Sequence, residues 1–269
     1  QLAFPFNLRP LMAMWNALYL VPGPVAADPG RSAAWNRGAY LVHGPGHCGA
    51  CHTPRNAFGA ERIGSATLSG AMVDGWEAPA LTALASAPRP WTKDDFYSYL
   101  RRGFSPNHGV AGGPMAPVVQ QLQALPDDDL RAMATYLASF NTNSARPVAQ
   151  RPAQAAVPLP DARARLFEGA CGACHHDTPV PGQFGLDLPL GLNSQLHSSR
   201  PDNLLRTILD GIQQPPTREL GFMPAFRHAL DDQQIADIAA YLRERHAPGQ
   251  PPWPNLPAEV ARVRALPAH

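Results

Sequence analysis

The chain has 269 residues, a length that fits about two domains. Its 22 Lys and Arg against 21 Asp and Glu leave a net charge of +1, which excludes the strongly basic surface that a nucleic-acid partner or a charge-driven membrane contact requires. Lys93 is its single lysine, so a lysine-lined docking face is excluded too, and 31 prolines predict long irregular stretches because proline fixes φ and removes a backbone donor.

Residues 1–30 form an opening segment whose apolar run, 8–21, contains Arg9, Pro10 and Asn16. That run is shorter than the roughly 20 residues a bilayer-crossing helix needs. The start is uncharged and shows no clear cleavage pattern, so no signal peptide is expected within it and the chain reads as processed or truncated. Met12, Met14 and Trp15 are expected to pack, and the segment to brace the rest of the chain or to dock a partner. Gly38-Ala39-Tyr40-Leu41-Val42 then predicts a short helix leading to Cys48-Gly49-Ala50-Cys51-His52. A helix from about Thr92 to Arg102 follows, with Thr92 and Asp95 spaced as a capping box. Pro126 is expected at the first helical position of the next helix, with Asp127, Asp128 and Asp129 complementing its dipole. Leu130, Met133, Ala134, Leu137 and Phe140 recur on one face of it.

The stretch 144–160 is rich in proline and alanine without an apolar period and reads as a semi-extended linker. Beyond it the pattern repeats. Residues 164–169 predict a short helix leading to Cys171-Gly172-Ala173-Cys174-His175. A helix from about Pro201 to Asp210 comes next. Asp231 and Asp232 open a closing helix with Ile235, Ile238, Ala239 and Leu242 on its face. Both closing helices carry a Tyr-Leu pair, Tyr136-Leu137 and Tyr241-Leu242. The tail 247–269 is again proline-rich, with Trp253 as its expected anchor.

The two Cys-x-x-Cys-His motifs consume all four cysteines. This motif is the attachment signature of c-type haem: the two thiols add to the porphyrin vinyl groups and the histidine coordinates the iron. A zinc site pairs Cys-x-x-Cys knuckles roughly 15–20 residues apart, whereas Cys51 and Cys171 are separated by 120. A thioredoxin-like pair belongs beside a βαβ pattern that is not found here, and a disulfide inside each motif closes only a tiny loop. The reading is therefore two covalently bound haem c groups, with Cys48, Cys51, Cys171 and Cys174 as attachment points and His52 and His175 as iron ligands. The fold class expected is all-α: two tandem cytochrome c domains at 31–143 and 161–246, with short helices and long Pro-rich loops around the haem.

Each iron needs a sixth ligand or stays open. Met72, His108, Met115 and Met133 are candidates in the first half, and Met133 reads better as core because it lies on the apolar face of its helix. Met115, in GGPMAP, precedes Tyr136 by 21 residues, and Met223, in GFMP, precedes Tyr241 by 18. Each stands beside a proline at a matching place in the repeat, so Met115 and Met223 are the expected ligands. A thioether raises the reduction potential and fills the site. His197 and His228 are alternatives for the second haem, with a surface role preferred for each, and His176 is expected to face solvent.

The runs FPFNLRPLMAMWNALYL (4–20), WNRGAYLVHGPGHCGACHTPRN (35–56) and GGPMAPV (112–118), with the ending MPAF…YLRERH, resemble the multihaem cytochrome c subunits of bacterial membrane-bound dehydrogenases acting on alcohols, gluconate, sorbitol and fructose, and of certain molybdenum hydroxylases. The chain is similar to the second and third haem domains of that family. The resemblance implies a periplasmic location, with membrane contact peripheral at most and any firmer association made through a partner or a part preceding this stretch. It implies a catalytic dehydrogenase subunit of flavin, PQQ or molybdopterin type as electron donor, and quinone, an oxidase or another cytochrome as acceptor. Where the family has an asparagine near a haem propionate, this chain has Ala80. Arg55 becomes the candidate for pairing a propionate bidentately, against a merely solvated arginine. Trp76 is a candidate equally for packing against the porphyrin and for hydrogen-bonding to it.

The function that follows is electron transfer without substrate chemistry of the chain's own. A dihaem peroxidase needs one open or displaceable iron position, and two proline-flanked methionines argue against it. A thiosulfate-oxidising dihaem enzyme calls for a spare cysteine, and a free periplasmic shuttle for the lysines this chain does not have.

Overall fold

The computed structural model describes residues 4, 7–84, 87, 89–141, 162–175 and 188–268. The expected linker 144–160 and His176 lie outside them. The buried apolar side chains gather into two clusters, one from residues 39–137 and one from residues 164–263.

The first cluster is built on a helix crossing. Helix α2 (Ala33–His43) starts at Ser32, whose hydroxyl accepts from the Trp35 N–H. Its buried face, Gly38, Ala39, Leu41 and Val42, lies on α6 (Asp127–Ala138), which buries Leu130, Met133, Ala134 and Leu137 as their spacing predicts. The backbones meet at Gly38, where a Cβ would fall 2.1 Å from the Ala132 carbonyl oxygen and 2.8 Å from Tyr136 Cβ. Arg37 clamps the crossing to Asp129 at 2.8 Å. Pro126 is the N-cap rather than the first helical residue: its ψ of 146° is extended, and Asp127 starts the turn. Helix α4 (Lys93–Arg102) has the Thr92–Asp95 capping box that the sequence predicted and ends on Gly103 in the left-handed region. It brings Phe96 and Leu100 into the same core, beside Trp91. Helix α5 (Met115–Leu122) precedes α6.

The second cluster repeats the plan. Helix α7 (Ala162–Ala170) packs Phe167 on α9 (Asp232–His246), with Phe167 and Tyr241 ring centroids 5.3 Å apart. Asp231 and Gln234 close a reciprocal capping box at the start of α9. Helix α8 (Asp202–Asp210) adds Leu205 and Leu209. The tail also holds a helix, α10 (Leu256–Arg264), which closes the core with Val260 and Val263. Most of its prolines precede this helix, and Pro257 sits in the first turn, where no N–H is needed. Trp253 is buried as expected, donating to the Ser198 carbonyl at 3.1 Å with the Arg243 guanidinium 4.2 Å from its ring.

The fold is helix-rich, in keeping with the all-α class expected. Two antiparallel ribbons interrupt the helices: β1 (Ala71–Val73) with β2 (Trp76–Ala78), and β3 (Phe104–Ser105) with β4 (Gly109–Val110). The first turns on Asp74-Gly75, both at positive φ (50° and 77°), as a tight two-residue hairpin demands. Helix α1 (Arg9–Tyr19) buries none of its residues. Met12 and Met14, expected to pack, are 45% and 60% exposed. The contact side of α1 is instead Trp15, which donates to the Phe58 carbonyl at 3.0 Å, and Tyr19, whose ring is 6.3 Å from that of Phe58.

The two halves meet through polar contacts. Asn203 bonds the backbone of Glu77, Arg206 the carbonyl of Asp74, and Ser194 the carbonyl of His108. Arg102 pairs with Glu219 at 2.7 Å. At the start of α8, buried Asp202 faces Arg262 at 2.6 Å and Arg200 at 3.0 Å.

Two outcomes follow from this packing. Gly38→Ala forces the α2–α6 crossing apart and is expected to cost about 2 kcal/mol or more, read from urea unfolding. Burial alone would raise the Asp202 pKa, but bonds and charge from Arg262 and Arg200 outweigh it and hold the carboxyl below its usual value. A depressed folded pKa gives stability that is complete above the unfolded value of about 3.9 and is lost as pH falls through the lower folded one. The urea midpoint is therefore expected to drop more steeply below about pH 4 in the wild type than in Asp202→Asn.

Candidate functional site

The two Cys-x-x-Cys-His segments fold alike. In each, the histidine N–H donates to the first cysteine's carbonyl at 2.9 Å, His52 to Cys48 and His175 to Cys171. This i→i+4 closure puts the first cysteine and the histidine one above the other on a single face of a helical turn. The first segment includes the short helix α3 (Gly49–His52). They are delivered differently: α7 runs directly into Cys171, whereas four residues separate the end of α2 from Cys48, held by Gly46 N–H on the Leu41 carbonyl and Cys48 N–H on that of Val42. Burial pushes the Cys48 and Cys171 thiols up to about 11. Cys51 is half-buried and Cys174 exposed.

His52 is the best-defined centre. Its ring Nδ1 lies 2.8 Å from the Pro79 carbonyl oxygen, an acceptor, so Nδ1 carries the proton and Nε2 presents its lone pair. Burial lowers the His52 pKa and the bond to Pro79 opposes that only partly, which keeps the ring neutral as a metal ligand must be. The His52 carbonyl accepts from the Gly70 N–H at 2.7 Å. Gly70 has φ +88° and its missing Cβ would meet the Ala80 nitrogen at 2.8 Å. Thr53 is buried and its hydroxyl accepts from the Leu68 N–H. His52 is thus gripped by both ends of the β1–β2 hairpin, Gly70 before it and Pro79 after it. Thiols, a neutral imidazole with a free Nε2 and an apolar surround suit a covalently attached haem. Among the described residues no group of three or more His, Cys, Asp or Glu is placed to hold a bare metal ion.

Met115 opens α5 half-buried, against the first core. Trp76 is buried and its ring lies against Gly113, where a Cβ would come within 2.4 Å of the indole. The hairpin therefore touches the loop bearing Met115 as well as His52. Met223 is half-buried in an extended bridge with Ile212, each N–H donating to the other's carbonyl. The two methionines match in the sequence repeat but differ in local structure. Of the other candidates, Met133 is in the core, Met72 is exposed, and His108 is stacked on Trp91 at 4.1 Å and lies 3.6 Å from Asp95. His197 sits at hydrogen-bond distance from the Gly191 carbonyl. Arg55 is exposed and spends two N–H groups on the carbonyls of Ala50, inside the first motif, and Gly59.

The residues that reading the sequence missed are Gly70, Pro79, Asn203 and Arg206. The Asp74-Gly75 pair signals the hairpin locally, but the contact of Pro79 with His52 spans 27 residues and that of Asn203 with Glu77 spans 126.

Comparison with known proteins agrees with this geometry. Residues 36–141 match the cytochrome c family, and residues 158–242 match the family of cytochrome c oxidase, cbb3-type, subunit III. The chain is a c-type cytochrome carrying two covalently bound haem c groups. Its homologues include a nicotinate dehydrogenase subunit of Pseudomonas putida, 52% identical over 99% of this chain and 23% of that protein. They also include the fructose dehydrogenase cytochrome subunit of Gluconobacter japonicus, 35% identical over 90% of this chain and 55% of that one. A dihaem cytochrome c-type protein of Cereibacter sphaeroides is 39% identical over 51% of this chain and 45% of its own. The chain spans about a quarter of the first of these relatives and about half of the others.

Gly113→Ala places a methyl group in the Trp76 ring at a residue with φ +51°. It is expected to destabilise the first half by roughly 1–3 kcal/mol, measured by urea unfolding followed through haem absorbance.

Proposed function

We propose that the chain is the electron-transfer part of a periplasmic dehydrogenase complex, with two tandem cytochrome c domains at 31–143 and 161–246 joined by 144–160, and 247–269 closing the second. The observation that carries this reading is the 52% identity, over 99% of the chain, to a component of nicotinate dehydrogenase. When bound, each haem supplies one-electron redox chemistry. Cys48 and Cys51, and Cys171 and Cys174, tether the two porphyrins. His52 and Met115 would hold the first iron, and His175 and Met223 the second. Thioether ligands would keep water and small oxidants from the metal and its potential high. Arg55 uses two of its five N–H donors on its own loop, and the remainder pair a propionate. Trp76 packs against the first porphyrin. The chain does no substrate chemistry itself.

Electrons come from a catalytic partner that holds flavin, PQQ or molybdopterin, and the nicotinate dehydrogenase likeness favours a nicotinate-oxidising one. They leave to quinone, an oxidase or another cytochrome. Residues 1–30 dock the catalytic subunit: α1 rests on the Phe58 loop through Trp15 and Tyr19 and turns Leu11, Met14 and Leu18 outward. No helix among the described residues is long and apolar enough to cross a membrane, in keeping with attachment through that partner.

Two experiments test the reading. Native purification is expected to bring down a larger subunit in fixed ratio with its own redox cofactor, and a chain that purifies alone and reduces no faster with dehydrogenase substrate present contradicts it. Met115→Ala and Met223→Ala are each expected to lower the potential of one haem by more than about 100 mV, within the ~0.8 V range that axial ligands span. Each is also expected to let that ferrous haem bind carbon monoxide.

A further inference from the structure

The hairpin that grips His52 is itself gripped from the second half. Its base holds the histidine through Gly70 and Pro79. In its register Met72 opposes Glu77, and Val73 opposes Trp76 across the two-residue turn. The 73–76 pair is the hydrogen-bonded one, so the Glu77 N–H and C=O point out of the ribbon. Asn203 on α8 takes both: the Glu77 N–H donates to Asn203 Oδ1 at 2.7 Å, and Asn203 Nδ2 donates to the Glu77 carbonyl at 2.8 Å. Ser198 adds a bond to the Glu77 carboxylate at 2.6 Å. One turn along α8, buried Arg206 donates to the Asp74 carbonyl at 2.9 Å. Glu77 is two residues from Pro79, whose carbonyl fixes the tautomer and orientation of His52.

We propose that Asn203 is a positioning residue for the first haem: by clasping the Glu77 backbone it sets the Pro79 carbonyl against His52 Nδ1, so the second half tunes the ligand of the first. The proposal rests on His52 as an iron ligand. Partners of the outer nitrogen of a ligating histidine raise its basicity and hold its orientation. Without the clasp, a half-buried N–H and C=O lose their partners, and the strand shifts towards water, drawing Pro79 from the ring. The weaker bond leaves a less basic imidazole, which favours the reduced iron.

The test is a redox titration of the intact dihaem protein as wild type, Asn203→Leu and Asn203→Asp, together with the solvent-exchange rate of the hyperfine-shifted His52 Nδ1 proton. Met115→His marks which wave belongs to the first haem. Asn203→Leu is expected to shift that wave upward, leave the other in place and speed the proton's exchange at least tenfold. Asn203→Asp keeps the acceptor for the Glu77 N–H and is expected to give a smaller shift in the same direction, which secures the test if the leucine variant folds poorly. Unchanged first wave and exchange rate, in variants with wild-type haem content and circular dichroism, overturn the proposal. Equal shifts of both waves overturn it as well, since they signal general loosening. If Met115→His moves neither wave, the assignment of Met115 fails separately, and the exchange rate of the His52 proton decides the proposal alone.

Discussion

The hydrogen bond between His52 and the Pro79 carbonyl is the constraint around which the first half is arranged. A carbonyl can only accept, so the bond settles at once which ring nitrogen carries a proton, which keeps its lone pair, and which way the ring faces. Proline suits the far end because its fixed φ limits the wandering of the acceptor. The rest of the hairpin keeps that carbonyl in place. Gly70 closes it on the main chain of the same histidine, and the mirror-image turn at Asp74-Gly75 sends the strand back in register.

Around this centre, helices meet at close range where small residues permit it. Gly38 lets α2 and α6 touch backbone to backbone, and Gly113 lets the Trp76 ring lie against the loop that carries Met115. The interface between the halves is of another kind. Its hydrogen bonds run mostly from side chains to backbone, with the Arg102–Glu219 ion pair beside them, while each half keeps an apolar cluster of its own. An interface of that composition fixes orientation more than it adds stability, since each net hydrogen bond contributes only about 1 kcal/mol.

What was legible in the sequence was what short-range patterns encode. The two motifs, the apolar faces of α6 and α9 and the Thr92–Asp95 cap depend on residues within a few turns of one another, whereas the Trp253 anchor was legible only as a large aromatic in a proline-rich tail, its acceptor Ser198 lying 55 residues away. Met12 and Met14 misled because an apolar run shows that a segment carries apolar side chains, not that something within the chain covers them. Helix α10 was hidden by the prolines ahead of it, although Pro257 falls where a helix accepts one. The hairpin had its own signal in Asp74-Gly75, overshadowed by the short helices expected throughout. The contact between Asn203 and Glu77 left no local pattern at all, because an asparagine clasping a backbone 126 residues away looks like any other polar residue of an amphipathic helix.

The charge balance beneath the hairpin has a consequence for how the protein meets its ionic surroundings. Arg206 and Arg227 both bind the carboxylate of Asp210, two guanidinium groups on one acid, and the Arg206 guanidinium carbon lies 5.9 Å from the centre of the Trp76 ring. The trio carries one more positive charge than negative, and Arg206 is buried, out of reach of mobile counter-ions. A surface charge is screened within about 10 Å at 0.1 M salt, whereas a buried one is screened far less. The electrostatic field at Trp76 is in this way set mainly by the fold and varies less with the salt outside than the field of a surface charge.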